Sequence, residues 1–166
     1  MDVGFFEQLA QALPAGALQT SSFRDNERLQ AAAGSVHACL TLLKERHGFD
    51  MLIDMTAVDY LYYPDATDRF GVIYALLNLA EGRRLIVKTM LNEPKLELPS
   101  VVGLWRGADW MEREIFDMYG IRFTGRPSLQ RILMPPEFAA FPLRKDYPLR
   151  GRGERHNFPV ITRAES

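Results

Sequence analysis

Apolar residues that recur at helical spacing mark the first two regular elements of the chain. A helix is predicted over residues 3–13, because large apolar side chains repeat every three or four positions and Pro14 ends the pattern. A second helix is predicted between Ser35 and Gly48. Cys39 lies on its apolar stripe, which predicts a core residue and not a nucleophile.

Extended segments with alternating or continuous apolar residues predict the strands of one sheet. In the segment 84–91, Leu85 and Val87 share one face, whereas Arg84 and Lys88 lie on the other. Gly82 supplies the turn before it. The other strands are expected over residues 18–23, 28–32, 51–58 and 70–79. This order of elements predicts an α+β fold, a two-layer domain of residues 1–120 with helices on a mixed or antiparallel sheet.

The composition is typical of a soluble globular domain and argues against several classes of cofactor site. Of the 166 residues, 47% are hydrophobic and 25% are charged. The single cysteine cannot form an intramolecular disulfide and cannot alone hold zinc or an iron–sulfur cluster. The first residues lack a basic region followed by a long apolar core, and no window of about 18 apolar residues occurs. Neither a signal peptide nor a membrane span is expected.

A third helix is predicted over residues 109–119, and Gly120 is expected to end it. Its polar face carries Asp109, Arg113 and Asp117 as successive i,i+4 neighbours. This spacing predicts that Arg113 lies between two carboxylates. Two more acidic residues flank the row, Glu112 and Glu114. The alternative is a solvated face of exposed ion pairs, which contribute little to stability.

The segment that follows, residues 121–166, is predicted to be a long extended tail rich in proline and arginine. Residues 122–155 hold 8 basic and 3 acidic side chains, whereas residues 1–100 hold 9 basic and 13 acidic ones. Large apolar residues recur in the tail at irregular spacing, and they need a surface to pack on. The tail is therefore predicted to become ordered chiefly on a partner protein, with help from the acidic helix through Arg131 or Arg144.

The helix and the tail together carry a motif of about 40 positions. Its residues are Trp110, Glu112, Arg113, Glu114, Asp117, Gly120, Ile121 and Phe123, then Pro127, Leu129, Arg131, Ile132 and Leu133, then Pro142, Leu143, Arg144, Lys145, Asp146, Tyr147, Pro148 and Leu149. This motif resembles the signature of the C subunits of respiratory complex I, the proton-pumping NADH:quinone oxidoreductase. The sequence departs from the usual pattern at Arg126, Gln130 and Phe141.

The resemblance implies a structural subunit of the hydrophilic arm of that complex that binds no cofactor. NADH, FMN, iron–sulfur clusters and quinone belong to the parent complex. The tail is expected to dock on the large D subunit, whose inner face helps form the quinone cavity, and the domain is expected to contact neighbouring subunits of the arm. The signature residues are then docking residues and not catalytic ones. Membrane association is expected only through the complex, on the cytoplasmic side of a bacterial inner membrane, or on the matrix or stromal side in an organelle.

Three other functions have to be weighed against this one. In an independent enzyme, Glu112, Glu114 and Asp117 would supply acid and base groups, but no histidine lies near them in sequence and no phosphate-binding loop occurs. A nucleic-acid-binding module would use the basic tail, but no recognition motif accompanies it, so no nucleic acid is expected. The equivalent subunit of a membrane-bound hydrogenase or related dehydrogenase carries a similar pattern.

Overall fold

A computed structural model describes residues 3–24, 26–126 and 128–154 of the chain. The helices are α1 (Val3–Gln11), α2 (Val36–His47) and α3 (Ala108–Tyr119). The strands are β1 (Leu18–Phe23), β2 (Asn26–Ala31), β3 (Met51–Asp59), β4 (Phe70–Asn78), β5 (Arg83–Leu91), β6 (Glu97–Pro99) and β7 (Arg122–Thr124). The α+β class predicted from the sequence is confirmed.

Five of these strands form one mixed sheet in the order β1-β2-β5-β4-β3. Neighbouring strands run antiparallel except β2 and β5, which pair in parallel with Leu29 opposite Val87. The chain reaches this parallel pairing only after α2, β3 and β4, because parallel strands need a long connection between them. The sheet is therefore mixed, which is one of the two arrangements that the sequence predicted.

The hydrophobic core lies between the sheet and the helices. Leu85 and Val87 of β5 are buried on the helix side, as their alternation with Arg84 and Lys88 predicts. Cys39 of α2 is fully buried in the same layer, and burial raises the pKa of its thiol to about 12. The thiol is therefore protonated at neutral pH, which fits a core residue and not a nucleophile.

A second, two-stranded sheet was missed by the sequence prediction. β6 and β7 pair in parallel, and Leu98 lies opposite Phe123. Ile121 and Phe123 are buried in the main core. Residues 121–124, predicted to begin the tail, therefore pair with β6 and contribute two side chains to the core, while the domain boundary at residue 120 stays a prediction. The small sheet was missed because a three-residue strand is too short for its alternation of buried and exposed residues to be recognised.

Candidate docking site

Helix α3 places two carboxylates in the interior. Ile115 and Met118 anchor the helix in the domain, and Gly120 ends it in the left-handed region at φ +78°, its N–H donating to the carbonyl of Phe116. Glu112 and Asp117 are fully buried on this helix. A buried carboxylate must be paired and hydrogen-bonded to be tolerated, so its partners identify what the helix holds.

Glu112 joins α3 to the segments that follow the C-terminal ends of both strands of the small sheet. It accepts hydrogen bonds from the Ser100 hydroxyl at 2.8 Å, the Val101 N–H at 2.7 Å and Arg126 Nη1 at 2.9 Å. The other guanidinium nitrogen of Arg126, Nη2, forms an ion pair with Asp109 in the first turn of the helix. Arg126 is 4% exposed and therefore shares the buried site. The chain after β7 is thus fastened to the start of α3.

The environment of Glu112 has opposing effects on its ionisation. Burial raises the pKa of Glu112 above the ordinary glutamate value, while hydrogen bonds from Val101 and Ser100 and the charge of Arg126 act to lower it. The net shift is upward. Ionised Glu112 is therefore less stable in the folded protein than in water, and it depends on Arg126 for its compensation.

Asp117 fastens the following segment to the C-terminal half of the same helix. Its Oδ1 accepts a hydrogen bond from Arg131 Nη1 at 2.6 Å. Its Oδ2 accepts hydrogen bonds from three successive backbone N–H groups, those of Ile132 at 3.0 Å, Leu133 at 2.7 Å and Met134 at 2.8 Å. One side chain thus takes the place of a strand partner for a stretch that has no ladder of its own.

The pKa of Asp117 shifts in the opposite direction to the pKa of Glu112. Burial by itself acts to raise the pKa of Asp117, but the hydrogen bonds from Met134, Arg131 and Leu133 together outweigh it. The pKa is lowered, so the carboxylate is more stable as an anion in the folded chain than in water. Asp117 therefore stabilises the packed segment at neutral pH.

A third buried carboxylate, Asp59 at the end of β3, holds the far end of the segment. It accepts a hydrogen bond from the Lys145 N–H at 2.8 Å and pairs with Arg69 at 3.3 Å. Arg69 also pairs with Asp146 at 2.7 Å and with Glu93 at 2.9 Å. The run around Lys145 is therefore tied to the edge strand of the main sheet and not to α3 alone.

Arg144 completes this attachment at the C-terminal end of α3. Its Nε donates to the carbonyl of Tyr119 at 2.7 Å, and its Nη1 pairs with Glu93 at 2.9 Å. The guanidinium also lies over the ring of Phe141, 4.8 Å from its centroid. The predicted contact of Arg144 with the helix thus runs through a backbone carbonyl and not through an acidic side chain of 112–117. A carbonyl at a helix C-terminus is a favourable partner for a cation.

The predicted role of Arg113 is wrong. Asp109 pairs with Arg126 and Asp117 pairs with Arg131, so neither carboxylate holds Arg113. Its guanidinium donates instead to the carbonyls of Gln130 and Arg131 at 3.1 Å. The i,i+4 rule fails here because the tail brings Arg126 to Asp109 and Arg131 to Asp117, in place of the neighbour on the same helix.

The contacts through Asp117 and Asp59 hold much of the segment 122–149 against its own chain, while the expectation that a partner chiefly orders it stays a prediction. Buried carboxylates of the domain accept the N–H groups that the prolines and the irregular path leave without a strand partner. Phe138 is buried within the chain. We refer to residues 128–149, held in this way, as the clamped segment.

Several large apolar side chains on the outer side of α3 and the clamped segment remain exposed. Trp110 is 60% exposed, Leu133 62% and Leu143 49%. Arg113 stacks over the Trp110 ring, 5.2 Å from its centroid, while bonding the backbone just before Leu133. The Leu143 N–H donates to the carbonyl of Met118 near the other end of the helix. We call the surface formed by Trp110, Arg113, Leu133 and Leu143 the docking face.

The remaining signature residues have varied positions. Glu114 is exposed on α3, and Phe123 is buried in the core. Pro142 is partly buried, and the Tyr147 ring packs edge-on against Phe138 at 5.9 Å. Pro127 lies outside the described residues. The signature thus combines residues that clamp the segment with residues that face solvent.

Asp59, Arg69, Glu93 and Ser100 take part in these clusters and were missed by the sequence prediction. For Asp59 a signal existed, because it shares the buried face of β3 with Met55 and Ala57 at a period of two. A carboxylate in register with core residues is predicted to need a buried partner. The other three residues have no comparable signal in their local sequence.

Within the described ranges, no group of three or more His, Cys, Asp and Glu side chains is placed to hold a metal ion. The same part of the chain has no helix that is long and apolar enough to cross a membrane. The site consists of ion pairs and backbone hydrogen bonds within the chain, together with exposed apolar side chains.

Comparison with known proteins decides the family. Residues 29–153 match the model of the 30 kDa subunit of the respiratory-chain NADH dehydrogenase. The chain belongs to this family. The match covers α3 and the whole clamped segment, and it confirms the resemblance to complex I.

Relatives and a solved structure agree with this assignment. The C subunit of the NADH-quinone oxidoreductase of Trichlorobacter lovleyi is 40% identical over 147 residues, covering 89% of this chain and 90% of the relative. The corresponding C subunit of Phenylobacterium zucineum is 48% identical over 112 residues, which span 68% of this chain and only 52% of the relative. The structure of Nqo5, in the form of its trypsin-resistant fragment (1-134), is 30% identical with a TM-score of 0.68. It covers 78% of this chain and 100% of the fragment.

Proposed function

We propose that the chain is a structural and assembly subunit of the hydrophilic arm of a proton-pumping NADH:quinone oxidoreductase, with no active site of its own. In this role it binds no cofactor, and NADH, FMN, iron–sulfur clusters and quinone are bound by other subunits. It lies on the cytoplasmic side of the membrane and reaches the membrane only through the complex. Its docking face packs against the large D subunit beside the quinone cavity.

The observation that carries the proposal is the docking face itself. Trp and Arg are enriched among the residues that dominate binding energy in protein interfaces, and Trp110 with Arg113 forms such a pair on a rigid helix. Leu133 is held beside them because its N–H is fixed by Asp117. A preformed apolar surface of this kind loses little conformational entropy on binding, so the clamp contributes to affinity without touching the partner.

Three ion clusters also explain why a structural subunit needs so many buried charges. Glu112, Asp117 and Asp59 each hold a different part of the chain that follows α3. Their hydrogen bonds to backbone groups fix the path of an irregular segment, which apolar contacts alone would leave free to slide. The clusters therefore set the shape of the docking face.

The double variant Trp110→Ala, Leu133→Ser tests this function. Both side chains are more than half exposed, so unfolding free energy should change by about 1 kcal/mol or less. Loss of a central interface tryptophan typically costs about 2 kcal/mol or more of binding free energy, about a thirtyfold loss of affinity. The amount of this chain that co-purifies with the other subunits, together with NADH:quinone reductase activity, is the measurement.

Leu79→Ser is the matched control, because Leu79 is 63% exposed on the turn between β4 and β5. It should leave both assembly and activity unchanged. If the double variant enters the complex as well as the control does and supports full activity, the docking face does not bind the partner.

A further inference from the structure

The main sheet has a second face that no described helix covers. On β4 and β5 the outward residues alternate with core residues, and the register brings Lys88 of β5 beside Ile73 of β4, and Ile86 beside Ala75. Arg28 of β2 is in register with Ile86. We call this surface the open face. Its central side chains are only partly buried, so the face has an apolar floor without a cover within the described chain.

The charges on the open face are mostly positive. Its described strand residues include the basic side chains Arg28, Arg84 and Lys88 and one acidic side chain, Asp54. The chain as a whole carries a net charge of −1. The net charge of the open face is therefore opposite in sign to the net charge of the whole chain, which favours a negatively charged partner.

A cleft of about 340 Å³ lies within this face, between Arg28 and Lys88. Arg28 is held over the ring of Phe23 at 4.9 Å, and Lys88 over the ring of Tyr60 at 4.3 Å. Among the described residues, neither cation pairs with a carboxylate, and Arg28 Nε is buried without an acceptor. Two cations that rings hold in place beside an apolar floor leave their hydrogen-bond donors for a ligand outside the chain.

We infer that the open face binds an acidic polypeptide segment of a neighbouring subunit, with one Asp or Glu carboxylate seated between Arg28 and Lys88. This rests on the proposed function only in that the partner belongs to the same complex. The surface is separate from the docking face, because α3 packs on the opposite side of the sheet.

A protein segment fits the face better than a membrane or a nucleic acid does. Anionic membranes are bound by clusters of about four to eight basic residues, and nucleic acids by extended basic stripes. Here two cations flank an apolar floor of Ile73 and Ile86. A mixed surface with a few buried charged contacts is the composition of a protein interface.

Carbodiimide coupling of the assembled complex tests the inference directly, because this reagent joins an amine to a carboxylate only when the two are in contact. The expected product is an amide between Lys88 and an Asp or Glu of another subunit, identified by mass spectrometry. It should be absent from a complex that carries Lys88→Arg. If Lys88 stays uncoupled, or couples only within its own chain, the inference is overturned.

A charge-reversed double variant, Arg28→Glu with Lys88→Glu, provides a second measurement. It should lower retention of this chain in the complex at least tenfold, whereas Arg46→Glu, on the exposed side of α2, should leave retention unchanged. Equal retention of the two variants overturns the inference while leaving the docking face intact.

Failure of the wild-type chain to co-purify with any subunit contradicts the proposed function itself. Binding of the isolated chain to phosphatidylglycerol vesicles, lost in the double variant, would identify the open face as a membrane-binding surface instead.

Discussion

Replacing Asp117 by alanine is expected to detach the middle of the clamped segment from α3 and to lower the free energy of unfolding by roughly 3–5 kcal/mol. The substitution leaves Arg131, which is 16% exposed, without its carboxylate. It also leaves the N–H groups of Ile132, Leu133 and Met134 without their acceptor. Denaturant unfolding measures the loss of stability, and hydrogen exchange at these three amides measures the detachment.

Glu114→Ala is the matched control, since Glu114 lies on the same helix and is exposed. It should change stability by about 0.5 kcal/mol or less. Asp117→Asn should behave like Asp117→Ala. The side-chain amide carries N–H donors of its own, and it would place them where the Arg131 guanidinium and three backbone N–H groups already donate. If Asp117→Ala unfolds like the control and its amides stay protected, the clamp at Asp117 does not exist.

The lowered pKa of Asp117 gives this prediction a pH dependence. The unfolded chain binds a proton at this group near pH 3.9, and the folded chain binds it only at lower pH. The contribution of Asp117 to stability is therefore complete above about pH 3.9 and is lost as the pH falls through the folded-state pKa. Asp117→Asn should remove this part of the acid sensitivity.

The second large effect is expected from Arg126→Ala, which leaves Glu112 buried beside Ser100 and Val101 without its cation. Removing one partner of a buried ion pair costs roughly 3–5 kcal/mol. The pKa of Glu112, already raised by burial, should rise further. A carboxyl whose pKa is raised on folding stabilises the protein fully below its unfolded value, near pH 4.3, and this contribution is lost as the pH rises through the folded pKa.

Urea unfolding of Arg126→Ala between about pH 4 and pH 8 measures this effect, and stability should fall with rising pH over a wider range than in the wild type. Adding Glu112→Gln removes the charge that loses its partner, so the double variant should no longer show the additional fall. If the single variant follows the wild-type pH profile, Arg126 does not compensate Glu112.

Elements that depend on a long repeat of apolar positions could be predicted from the sequence. The helical stripe around Cys39 and the alternation of Leu85 and Val87 both extend over several residues, so the core and the main sheet followed from them. β7 has three residues, and its partner β6 lies far away along the chain. Short pairings of this kind depend on tertiary contacts that no local pattern contains.

The candidate site could be predicted only in part, for an electrostatic reason. The charges of α3 and the arginines of the tail were evident, and the contact of Arg131 with the acidic helix was expected. Which arginine pairs with which carboxylate is decided by access to the buried side, and this led to the wrong partner for Arg113. The anchoring of Lys145 at Asp59 joins positions 86 residues apart. Sequence spacing does not determine such a contact.

Cysteine labelling at Leu133 in the free subunit and in the assembled complex tests the docking face most directly. The only native cysteine, Cys39, is fully buried and its thiol is protonated, so it should not react with a maleimide. Leu133→Cys and the control Leu79→Cys start from nearly equal exposure, 62% and 63%. Both cysteines should label rapidly in the free subunit, and in the complex the cysteine at position 133 should be protected while the one at position 79 still reacts. Labelling at position 133 that is as fast in the complex as in the free subunit would contradict the account.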